Sequence, residues 1–70
     1  MKYLIIIEQT NSGYSAYSPD LPGCVTTGQT KEDTEKNMKE AIEFHIEGLK
    51  LEGLDVPVPS SSSAYIHVAA

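Results

Sequence analysis

The chain has 70 residues, with ten acids against five lysines and no arginine, for a formal charge of −5. A chain this short buries only roughly 60% of the surface its unfolded form exposes, so it reads as one domain with a marginal core that gains stability by self-association or by docking on a partner. Binding to phosphate and to guanine edges relies on clustered Lys and Arg, so direct contact with nucleic acid is not expected, and a basic partner protein suits the charge better.

At the amino end, Met1-Lys2 and the run Tyr3 to Ile7 faintly resemble a signal start, but Glu8 ends the apolar stretch well short of a secretory core, and no other segment could span a membrane. The β-branched run over 3–9 predicts a strand buried on both faces, closed by the turn formers Thr10-Asn11-Ser12-Gly13. Tyr14-Ser15-Ala16-Tyr17 then predicts its antiparallel hairpin partner over 14–18. Next comes Ser18-Pro19-Asp20-Leu21-Pro22-Gly23-Cys24, a specified corner. Pro19 and Pro22 fix φ and remove donors, Asp20 can bond its own downstream backbone, and Gly23 can take a positive φ. A third strand over 24–28 completes a meander.

Thr30 is a good N-cap, with Glu32, Asp33 and Glu35 placed to meet the positive end of the helix dipole. A helix is therefore expected over about 31–52, with Gly53 just beyond it in a left-handed cap. At about 100° per residue, Thr34, Met38, Ala41, Ile42, His45 and Leu49 form the stripe that faces the sheet. Phe44 and Leu51 fall on one flank outside it, with Gly48 between them leaving a notch. The connector 54–63, with Pro57, Pro59 and four serines, is expected to be extended. Alternation over 64–68 predicts a fourth strand, and the right-handed crossover rule makes it parallel to a strand of the meander.

Chemistry-bearing residues are sparse. Cys24 is the only thiol and fits a reducing cytoplasm. With His45 or His67 it could form a Cys-His pair, yet no nucleophile motif surrounds it, and a lone cysteine entering a strand is more often a small buried hydrophobe. No metal-ligand spacing occurs, so no cofactor is expected. Glu8 and Asp20 are too few acids for a magnesium-dependent nuclease, although a residual metal-dependent nuclease or hydrolase is the alternative from another class. A self-associating scaffold with no further partner is a third reading.

Taken together, Pro19-Asp20-Leu21-Pro22-Gly23-Cys24, the Thr27-Gly28-Gln29-Thr30 approach to a capped helix, and Ala41-Ile42-Glu43-Phe44-His45-Ile46-Glu47-Gly48-Leu49 resemble the HicB family of antitoxins over about residues 5–59. The resemblance implies an α+β, partial ribonuclease-H-like β-β-β-α-β fold, with the fourth strand beside the first and no nuclease activity. It further implies a cytoplasmic antitoxin that masks a small basic HicA-like, mRNA-cleaving toxin. Many family members add a carboxy-terminal DNA-binding domain; this sequence stops at Ala70, so a short member without it is expected, together with a homo-oligomer. Phe44 and Leu51, with the nearby acids Glu40 and Glu47, are the expected partner-binding residues.

Overall fold

The computed structural model describes residues 1–70. Three strands, β1 (Ile6–Gln9), β2 (Tyr14–Tyr17) and β3 (Val25–Gly28), precede a single helix, α1 (Lys31–Leu51). They form an antiparallel sheet in the order β1-β2-β3. The register sets Ile7 and Thr26 on either side of Ala16, and Ile6 and Val25 on either side of Tyr17. Because side chains alternate between faces, the row through Ala16 looks toward the helix and the row through Tyr17 looks away.

The helix lies chiefly over β3 and β2. The core is small: Ala16, Leu21, Cys24 and Met38 are buried, with Tyr3, Ile5, Ile7, Ala41 and Ile42 against them. Nothing covers the second face, so residues 3–7 are only half-buried, not enclosed on both sides as their composition suggests. Thr34, fully buried, donates through Oγ1 to the Thr30 carbonyl at 2.7 Å, so the inward stripe begins with a satisfied hydroxyl.

Both helix ends are closed as their residues predict. Thr30 is extended, and its hydroxyl accepts from the Asp33 N–H at 3.0 Å. At the other end the Gly53 N–H donates to the Lys50 carbonyl and the Leu54 N–H to the Leu49 carbonyl, the paired bonds of a Schellman cap, with Gly53 at φ 71°.

One expected element is missing from the sheet. Residues 64–68 carry no strand pairing, and Tyr65, Ile66 and Val68 are largely exposed. The cause lies upstream. The Tyr3 hydroxyl donates to the Pro57 carbonyl, and Ser60 and Ser61 are held by Asp20, so the chain is led past the strand ends to the corner instead of back along an edge. The radius of gyration, 13.8 Å, reflects this projection, since a compact chain of this length would have about 11 Å.

Candidate partner-binding site

Glu40, Phe44, Glu47 and Leu51 recur at three- and four-residue spacing, so α1 presents them as one stripe. All four are exposed, Phe44 at 79% and Leu51 at 82%. The stripe thus sets a bare apolar pair between two carboxylates.

Beside this stripe, an open groove of about 420 Å³ runs between the helix and the start of β3. Phe44, His45 and Gly48 form its helix wall, and Gly23, Cys24 and Val25 form its sheet wall. Gly48 leaves its part of the helix wall without a side chain, and a Cβ there would stand in open space, with nothing within 4 Å. The corner shapes the opposite wall: Gly23 at φ 81° reverses the chain, and the Cys24 N–H donates to the Leu21 carbonyl at 3.0 Å. Leu21, in the middle of the corner, is fully buried and anchors it in the core.

Asp20 acts differently from a local turn former. Its carboxylate accepts from the backbone N–H groups of Ser60 and Ser61, at 3.0 and 3.1 Å, and from their hydroxyls, at 3.1 and 2.8 Å. These bonds, the Ser61 hydroxyl foremost, lower its pKa from 3.8 to about 2. Pro19 and Pro22 are exposed on the same corner.

The residues with catalytic chemistry do not assemble. Cys24 and His45 line one groove, but burial raises the thiol's pKa, the reverse of nucleophile activation. His67 is exposed on the trailing segment and Glu8 on β1. No three His, Cys, Asp or Glu side chains gather where they could hold an ion, and no helix is long and apolar enough to cross a membrane. Sequence reasoning missed the contribution of Val25, exposed at 65%, because a β-branched residue opening a short strand carries no mark of which face it takes. It also missed the serines as partners of Asp20, because a polar run with prolines has the composition of a linker.

Comparison with known proteins gives the arrangement a context. Residues 3–69 match the profile of a family described as the HicB-like antitoxin of bacterial toxin–antitoxin systems. A 14.9 kDa protein of Haemophilus phage HP1 is 42% identical over 67 residues, covering 96% of this chain and 50% of its own length. The chain thus spans about half of that relative. A UPF0150 protein of Thermoplasma acidophilum is 40% identical over 68 residues, covering 96% of this chain and 99% of its own. Among solved structures, a chain of the HicA3–HicB3 toxin–antitoxin complex superposes with a TM-score of 0.75 at 42% identity, over 86% of this chain and 70% of that one. The antitoxin HicB3 alone gives 0.71 at the same identity, over 86% of this chain and 44% of its own. By sequence and by fold alike, the chain belongs to the HicB-like antitoxin family.

Proposed function

We propose that this protein is a non-enzymatic antitoxin that binds a small basic HicA-like toxin and masks its mRNA-cleaving site. The observation that carries this reading is the bare Phe44 and Leu51 pair between Glu40 and Glu47, beside the groove that Gly48 opens. Two aromatic or aliphatic anchors flanked by acids suit a basic partner: the anchors supply desolvated contact, and the carboxylates steer encounter and fix orientation. The HicA3–HicB3 complex, one chain of which resembles this protein, supports a toxin as the partner. The chain's net charge of −5 has the right sign for it.

The test is co-expression with a HicA-like toxin encoded beside this gene, followed by co-purification. The native chain rescues growth and retains the toxin. Phe44→Ala with Leu51→Ala weakens the complex by about 2 kcal/mol or more, roughly thirtyfold in Kd, as truncation of a central anchor does. Continued growth arrest together with failure to co-purify would sink the reading.

A further inference from the structure

The sheet stops at β3, and no strand pairs with it on its far side. The Ser18 N–H donates to the Cys24 carbonyl at 3.3 Å, which fixes the phase of the ladder between β2 and β3. Ala16 stands opposite Thr26 and Tyr17 opposite Val25. Antiparallel alternation then turns the backbone groups of Cys24 and Thr26 toward β2, and those of Val25 and Thr27 toward the open edge. Of these, the Thr27 carbonyl is taken by the Asn37 side-chain amide at 2.9 Å. The Val25 N–H and carbonyl and the Thr27 N–H stay free. Edge strands are ordinarily blunted by lysine or proline, yet β3 reads Val-Thr-Thr-Gly and carries neither.

This edge borders the groove of about 420 Å³ under α1, whose helix wall is open at Gly48. Cys24 is buried on the helix side of the sheet, so residues of an added strand opposite Cys24 and Thr26 would turn their side chains into that groove. Charge selects the occupant. No lysine lines the groove, Glu52 does, and Glu40 and Glu47 stand on the same helix stripe as Phe44. A second copy, at −5, meets like charge here, whereas a strand bearing Lys or Arg is attracted.

We propose that the basic partner adds one of its own strands to the β3 edge and places a side chain of that strand in the groove beside Gly48. The inference rests on the toxin-binding reading above and names how the partner is gripped. Backbone bonds at Val25 and Thr27 hold the strand, and the groove with its acids selects what the strand carries. Asn37 sets the limit of the ladder: by occupying the Thr27 carbonyl it stops the added strand from running on toward the start of the helix.

Amide exchange followed by NMR, on the full chain with and without the purified toxin of the co-expression assay, tests the proposal. The Val25 and Thr27 amides exchange freely in the chain alone and slow at least about tenfold in the complex, while that of Thr26, bonded to β2, is protected in both. Val25→Pro removes one donor at an edge position that tolerates proline and raises the toxin Kd at least about tenfold. Val25→Ala, which keeps the N–H, raises it less. Circular dichroism checks that the proline variant folds, and where it does not, the exchange pattern of the native chain decides. A complex that forms and is weakened by Phe44→Ala with Leu51→Ala, yet leaves Val25 and Thr27 exchanging freely, overturns the strand addition and leaves the antitoxin reading standing. Equal losses from Val25→Pro and Val25→Ala overturn it too, as does protection of the two amides in the chain alone that grows with concentration, which would assign the edge to a second copy. A toxin that does not bind at all overturns both readings.

Discussion

Asp20 ties the start of the trailing segment to the corner through one carboxylate, so its protonation is a local event with a wide reach. The folded state keeps this group ionised more firmly than the unfolded chain does. Its stabilising contribution is therefore fully present above the unfolded value of 3.8 and is lost as pH falls through about 2. An NMR titration should show the Ser60 and Ser61 amide shifts moving together in that window, and Asp20→Asn should abolish the transition while leaving the Thr30 cap signals unmoved. Gly28 is a second residue with little latitude: a Cβ there would sit 2.4 Å from Thr34 Oγ1 and 2.7 Å from the Thr34 nitrogen. Since Thr34 is fully buried at the start of the helix, Gly28→Ala should cost about 1–3 kcal/mol in urea unfolding, as overpacking does.

The helix was the most legible element. Thr30, the charged first turn and Gly53 mark its ends by chemistry that acts within four residues, and the 3.6-residue stripe beginning at Thr34 and Met38 names its buried side. The strands were legible in kind and order, but their ends differ by up to three residues, because pairing, not propensity, decides where a ladder stops. The 64–68 run shows the limit more sharply. Its alternation is genuine strand patterning, and yet it joins no ladder, and the chain that leads to it is tied at Ser60 to Asp20, forty residues earlier than that serine. At the candidate site, Phe44 and Leu51 could be read because they depart from the helix period, whereas the wall made by Gly23 and Val25 depends on tertiary placement alone. Gly48 gives the helix its own test. An exposed helical glycine changed to alanine gains about 1 kcal/mol, so Gly48→Ala should raise the thermal midpoint while weakening toxin capture in the co-purification assay, because the new methyl fills the notch.

At the level of the whole molecule, charge and layering divide the surface. An acidic chain meeting a basic toxin should associate quickly at low ionic strength, and near 1 M salt, where the screening length is about 3 Å, association measured by stopped flow should slow by about tenfold or more with little change in dissociation. Thickness matters as well: the molecule measures 49 × 26 × 16 Å, so one helix and one sheet make up its full depth. Most of its architecture is local in sequence, two hairpin-like pairings followed by a helix against the strand just before it, which favours rapid formation of that body. The Asp20 bonds to Ser60 and Ser61 close a loop of about forty residues and can form only once both ends are in place. If this long closure forms after the local body, Asp20→Asn should leave the refolding rate nearly unchanged and hasten unfolding, a φ-value close to zero. The carboxylate that sets the course of the trailing segment would then also govern how long the folded chain survives between unfolding events.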